Sequence, residues 1–210
     1  MGGVLKLYNV LNPRNKLHVG KENVFIFEGA QLNGVSIKIR GKNNSVVFKK
    51  ASVFNSCVLR IFGDNNNIVV EENCLLNSGK FWIEDNCGSI WIGDGTTVHG
   101  ATDFSVIEGT SITVGKDCMF SSNITLRTGD SHSIIDECGN RTNPSESIVI
   151  GDHVWFGANV TCLKGTSVPN NTILGTGSLV NKKFEEEGTV IAGCPANIVK
   201  EHIGWLRERI

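Results

Sequence analysis

Apolar residues return along this chain at fixed intervals. Val24, Val46, Ile68, Ile90 and Ile112 are 22 residues apart. Two residues after each stand Ile26, Phe48, Val70, Ile92 and Val114, and six beyond those Leu32, Phe54, Leu76, Val98 and Phe120, all apolar. Midway lie Ala30, Ser52, Cys74, Thr96 and Cys118, all small. After residue 148 the period tightens to six, through Ile150, Phe156, Cys162, Val168, Leu174 and Val180. Val154, Val160, Thr166, Thr172 and Ser178 follow the first five of these and are small or β-branched. A 22-residue coil is three sixes with a four-residue corner added, so both rhythms fit one object. That object is a solenoid with three short strands per coil, each burying one large and one small side chain. Each coil pairs its backbone with the next through parallel ladders. The turn-rich stretches Gly41 to Ser45 and Gly63 to Asn67 recur just before a repeat begins, and their asparagines are expected to stack at one corner.

Two segments break the rhythm. Residues 127–149 lose the apolar spacing although Leu126 and Ile150 keep it across them. This stretch is expected to be a loop thrown out of the solenoid, and a long loop in a tight repeat is usually functional. At the other break, Val199, Ile203, Leu206 and Ile210 recur at spacings of 4, 3 and 4. That spacing predicts an amphipathic helix over 196–210, capping a β-solenoid domain over 1–195. Gly204 inside it costs about 1 kcal/mol of helix propensity and would keep the cap short.

Composition agrees with an all-β solenoid. Gly and Asn make up 46 of the 210 residues, and both tolerate left-handed turns and weaken helices. A net charge of −1 provides no general attraction to nucleic acid or an anionic membrane, and no run of basic residues marks a stripe for a polyanion. No apolar run approaches the ~20 residues of a membrane span. Met1 to Tyr8 lacks the apolar stretch of a secretion leader. Seven scattered cysteines without a Cys-x-x-Cys argue against a disulfide scaffold or a zinc ribbon. A cytoplasmic protein is expected.

Of the histidines at 18, 99, 132, 153 and 202, His132 stands out because it lies in the arrhythmic loop. A neutral imidazole with a pKa near ~6.5 is suited to take a proton from a hydroxyl. Asp130, two residues earlier, either orients that ring or caps its own turn. His153 follows Asp152 at a turn and is expected to face outward; His18, His99 and His202 are read as structural or solvent-exposed.

The run Asp130-Ser-His132, the stretch Ile148 to Gly157 containing Trp155, and Ile191 to Ala196 together resemble the hexapeptide-repeat sugar O-acetyltransferases. The nearer likeness is to bacterial sialic-acid capsule O-acetyltransferases, through Gly115 to Met119, Asn159 to Gly165 and Ile198 to Trp205. It extends over residues 109–207, with only a repeat-level likeness before them. The resemblance implies a left-handed parallel β-helix; periodicity does not show the hand. It implies a homotrimer with active sites between neighbouring solenoids, acetyl-CoA in the groove between them, and His132 as general base. Trp155 would sit beside the acetyl group, where an indole N–H can only donate. For the coenzyme, Gly157, Ala158, Gly175 and Ser178 are small residues on the rims of the last coils. Lys182, Lys183 and Lys200 are candidate partners for its phosphates, and Pro195 would bring the chain back across the groove.

Other functions of the same fold fit less well. A zinc carbonic anhydrase needs closely spaced imidazoles, whereas His99, His132 and His153 are 33 and 21 residues apart, so no metal is expected. A mere scaffold or glycan-binding module has little reason to interrupt its coils with Asp-Ser-His. An amino-sugar N-acetyltransferase, or another acyltransferase with a small acceptor, remains the enzymatic alternative. The family's serine enzymes carry an N-terminal helical region where this chain has β coils, which favours a glycan acceptor.

Overall fold

The computed structural model describes residues 8–210. The first seven residues of the domain expected over 1–195, and with them most of the expected leaderless start, lie outside the described residues. Three parallel sheets form the walls of a column. The first wall has eight strands, from Lys16–His18 to Leu179–Val180. The second has seven, from Val24–Phe27 to Ser167–Val168. The third has nine, eight parallel ones from Gln31–Asn33 to Val190–Gly193 and Ala196–Lys200 added antiparallel as the ninth. The chain visits the walls in turn, and each strand pairs with its counterpart one coil later. The register steps by 22 residues from Ile68 to Ile90 to Ile112. It steps by 36 from Ile112 to Ile148, across the loop, and by 18 from Ile150 to Val168.

Strand alternation explains the core. Inward positions such as Ile68, Ile90, Ile112, Phe156, Cys162 and Leu174 are all at most 1 % exposed. Phenylalanines stack where coils meet, Phe120 on Phe156 with ring centroids 4.0 Å apart and planes 13° from parallel. The first coil departs from the expected phase. Val24 pairs with Ser45 and Phe25 with Val46, a step of 21, so Phe25 and Phe27 turn inward. Val24 and Ile26 are left 50 % and 40 % exposed. A slip of one residue exchanges the two faces of a strand.

Corners recur as faithfully as walls. Ala51, Asn73, Gly95, Asp117, His153 and Asn171 occupy successive levels of one corner, all with left-handed backbone. Asparagine ladders run from coil to coil, Asn33 to Asn55 to Asn77 at 2.8 Å per step. Asn9, fully buried, donates to the Ala30 carbonyl and accepts from the Leu32 amide. Its side-chain amide thus closes the lower sheet edge as a backbone peptide would.

The far end corrects the expectation of a helix over 196–210. Ala196–Lys200 is a strand that folds back on Val190–Gly193, and the tail beyond it is irregular. Val199 and Leu206, both 62 % exposed, show that the expected apolar face buries little. The strand instead satisfies the polar edge that the last coil leaves open, and Trp205 anchors the tail. Among the described residues no helix is long and apolar enough to cross a membrane.

Candidate active site

The loop leaves the first wall after Ile124–Arg127 and returns to the second at Ile148–Ile150. It is built rather than slack. Gly129 is buried, and a Cβ there would sit 2.5 Å from the Ile107 side chain. Arg141 grips Glu108 on the column with two bonds, at 2.6 and 3.0 Å, and the Ser145 hydroxyl adds a third at 2.7 Å. Arg141 and Ser145 hold the Glu108 carboxyl down from its ordinary 4.5 to about 2. Inside the loop Asn143 is the organiser. Its Nδ2 donates to Asp130 and to the His132 carbonyl, and its Oδ1 accepts from the Ile134 amide at 2.7 Å. Ser131 takes a left-handed φ of 65° and thereby turns the chain into His132.

His132 is exposed, and its ring has no hydrogen-bond partner among the described residues. Asp130 does not orient it. Its carboxylate accepts from Lys164 Nζ at 2.6 Å and from Asn143 at 2.8 Å, and these two hold its pKa below the usual value. Lys164 belongs to a later coil, so Asp130 ties the loop to the column.

Trp155 lies on the third wall in Trp155–Phe156, its side chain outward and 37 % exposed. One chain therefore carries its imidazole at the corner between the first and second walls and its indole on the third. Beside Trp155 is a cluster that sequence reasoning missed. His153, expected to face freely outward, is enclosed: Nδ1 lies 2.6 Å from Asp117 Oδ2 and Nε2 lies 3.1 Å from the Trp205 carbonyl. Both partners are acceptors. The His153 and Trp205 rings stack at 4.0 Å, Trp205 Nε1 donates to the His153 carbonyl, and Trp205 stands 6.1 Å from Trp155. Arg207 adds a bond to Asp117 at 2.7 Å. Burial pushes the Asp117 carboxyl up, but His153 and Arg207 outweigh it and leave its pKa lowered. Only the register of the fold reveals it: Met119 pairs with Trp155, 36 residues on, which sets Asp117 beside His153.

The residues expected to line the coenzyme groove separate. Gly157 and Gly175 succeed each other along the third wall, with Ala192 next in line. A Cβ on Gly157 would meet the Thr176 backbone nitrogen at 2.7 Å, and one on Gly175 the Ala192 Cβ at 2.8 Å. Stacking of coils thus already requires both glycines, and together with Ala158 they leave the rim flat. Ser178 is off the rim: it is 1 % exposed, and its hydroxyl closes a turn by donating to the Gly175 carbonyl at 2.6 Å. Lys182 reaches Asn197 of the terminal hairpin at 2.6 Å, and Lys200 and Pro195 belong to that same hairpin. Lys183 bridges to Ser167 on the second wall and is not part of that group. Among the described residues no group of three or more His, Cys, Asp or Glu is arranged to hold a metal ion.

No protein-family model matches the sequence. Individual proteins do. The chain is 34 % identical over 190 residues to the polysialic acid O-acetyltransferase of Neisseria meningitidis, covering 80 % of this chain and 88 % of that one. It is 33 % identical over 125 residues to a lipopolysaccharide biosynthesis O-acetyl transferase assigned in Escherichia coli K12, covering 55 % of this chain and 62 % of that one. Among solved structures, the polySia-specific acetyltransferase NeuO superposes with a TM-score of 0.82 at 28 % identity, over 92 % of this chain and 88 % of the other. The polysialic acid O-acetyltransferase OatWY superposes with a TM-score of 0.71 at 32 % identity, over 94 % and 90 %. The column is the left-handed parallel β-helix of these enzymes. Shared coils, shared length and one-third identity to a sugar-modifying enzyme lead to one conclusion: the chain belongs to the hexapeptide-repeat acetyltransferases that include the polysialic acid O-acetyltransferases.

Proposed function

We propose that the protein transfers an acetyl group from acetyl-CoA to a sugar hydroxyl of a bacterial surface polysaccharide, a capsule (sialic-acid-containing or not) or an O-antigen. The observation that carries this reading is His132, an imidazole without a partner among the described residues, on a loop anchored by Glu108, Lys164 and Asn143. Such a ring is pre-positioned and free to accept a proton from an acceptor hydroxyl, worth about 10²–10⁴-fold in rate. The coenzyme would supply the acetyl group as a thioester and leave as the free thiol, its sulfur taking up the proton that His132 removed. Trp155 then donates its indole N–H to the oxygen on which charge builds, or excludes water there. Gly157, Ala158 and Gly175 provide the flat rim for the pantetheine arm. Lys182 and Lys200, neither bonded to a carboxylate among the described residues, are the cations that suit its phosphates.

The wall positions of His132 and Trp155 support a homotrimer in which one chain's loop meets its neighbour's third wall. The outer face of the second wall points the same way: Ile26, Val47, Val69, Trp91, Thr113 and Val149 lie on one register line, apolar except for Thr113, that a second copy would cover. A cytoplasmic location belongs to the same reading, since seven unpaired thiols suit a reducing compartment.

The test is incubation with labelled acetyl-CoA and a panel of capsule and O-antigen glycans, with mass spectrometry of the products. His132→Ala should lower turnover at least about 100-fold while light scattering still reports a trimer. Trp155→Ala should cost less. Near-normal turnover in His132→Ala would remove the imidazole from the mechanism, and label on an amine would move the enzyme to the N-acetyltransferases.

A further inference from the structure

Sequence alone shows no basic run, yet the coil register assembles one. Lys38 pairs with Arg60, Arg60 with Trp82, Trp82 with Ser105, and Ser105 with Arg127, each on the outer face of the first wall. At about 4.8 Å per coil, this column is about 19 Å long. Its upper end meets the loop, where Arg127 Nη2 donates to Ser131 Oγ at 3.0 Å, one residue from His132. A cavity of about 190 Å³ lies there, bounded by Trp82, Ser105, Arg127 and Ser131 among others. We propose that this column is an extended subsite for an acidic polysaccharide, which holds the acceptor chain along the first wall and leads it to His132. The proposal rests on the acetyl-transfer reading and names the chemical class of its acceptor.

Charge carries the first part of the argument. The whole chain has a net charge of −1, but the strands of this wall turn six cations outward, Lys16, Lys38, Arg40, Arg60, Lys80 and Arg127, against two carboxylates, Glu84 and Asp103. Lys80 pairs with Asp103 at 2.7 Å. The Arg60 guanidinium is fixed by neutral acceptors, the Ser36 carbonyl at 2.8 Å and the Ser36 hydroxyl at 3.1 Å. It is therefore held in place with its charge available to an anion. Arg127 is fixed in the same way by Ser131.

Aromatic surface carries the second. Phe62 and Trp82 lie side by side on this face, ring centroids 5.2 Å apart. Arg40 sits 5.8 Å from the centre of the Phe62 ring and Lys80 5.2 Å from that of Trp82. Half-buried rings framed by cations offer stacking to the C–H faces of sugar rings and attraction to their carboxylates. Nucleic acid would use similar ingredients, but a stripe that ends at the loop carrying His132 favours the glycan.

The experiment is calorimetric titration of the intact protein, without acetyl donor, using oligosialic acid and oligogalacturonate long enough to span the column. A neutral dextran oligomer and single-stranded DNA serve as comparisons. At least one acidic glycan should bind more tightly than dextran, with affinity falling as salt rises. Arg60→Gln and Trp82→Ala should each weaken that binding about tenfold, equal to about 1.4 kcal/mol. In turnover, KM for the bound oligomer should rise by a similar factor while kcat and the kinetics on a monosaccharide acceptor stay within twofold, which also shows that the variants fold. Equal binding of dextran, unchanged affinity in both variants, or effects confined to DNA would overturn the proposal. Because binding is read without turnover, a protein that holds the acidic oligomer through Arg60 and Trp82 yet acetylates nothing would reject the transferase reading and keep the subsite.

Discussion

Single residues decide where the extruded loop stands. Glu108 is the column's handle on it, and the depressed pKa sets the sign of the pH dependence. A carboxylate lowered from 4.5 to about 2 contributes its full stabilisation above pH 4.5 and loses it as pH falls towards 2. Asp130, held by Lys164 and Asn143, and Asp136, held by Asn140, shift in the same direction and reinforce that window. Amide exchange at Thr142, which bonds the Ile134 carbonyl at 2.8 Å, should therefore accelerate beyond its intrinsic rate below about pH 4.5. Glu108→Gln should show the fast exchange already at neutral pH, and exchange indifferent to both changes would show that other contacts hold the loop. None of these partners was readable from the loop's arrhythmic sequence: Asn143 and Lys164 matter only because folding brings them to Asp130. The place of His132 on an extruded loop was readable, because residues 127–149 interrupt a repeat that resumes after them.

At the level of elements, the terminal segment shows tertiary contact overriding local preference. Its 4, 3, 4 apolar spacing describes a helix, but an unfinished sheet edge attracts a strand, and the stacked Trp205 ring pins the irregular tail beyond that strand. Trp205→Ala should free the tail at a cost of about 2 kcal/mol, one hydrogen bond and one ring stack. The readout is exchange at the Ile203 amide, which bonds the Gly188 carbonyl at 2.9 Å. If that amide stays protected, Arg207 rather than Trp205 is the anchor. The first coil teaches the complementary lesson. Its residues Val24 and Ile26 fit the 22-residue rhythm and still face outward, because a coil one residue shorter moves Phe25 and Phe27 into the interior. Two larger apolar residues beside two smaller ones made both phases plausible in sequence; only pairing with Val46 and Phe48 chose between them.

The whole molecule behaves as a stack in which each coil leans only on its neighbours. A defect in the centre should therefore be costly. Phe156, fully buried and stacked on Phe120, should lose about 3–5 kcal/mol on replacement by alanine, measured by denaturant unfolding. A loss under about 1 kcal/mol would mean that the coils collapse around the gap. The thiols report the same packing. Cys87, Cys138 and Cys194 are exposed, whereas burial pushes Cys57 up to about 11 and Cys74, Cys118 and Cys162 to about 12. A thiol reagent should accordingly modify three cysteines in the native protein and seven after unfolding; more than three at first would reveal open coils. Periodicity was enough to specify three walls, the inward faces beyond the first coil, tight corners and an extruded loop, because each follows from the distance between residues along the chain. It could not specify what lines up across coils of unequal length, nor what touches at the corners. Arg60, Trp82 and Arg127 form one column only after steps of 22, 23 and 22 residues have set the register, and His153 and Asp117 one pair only after the 36-residue jump over the loop; those alignments exist in space rather than along the chain.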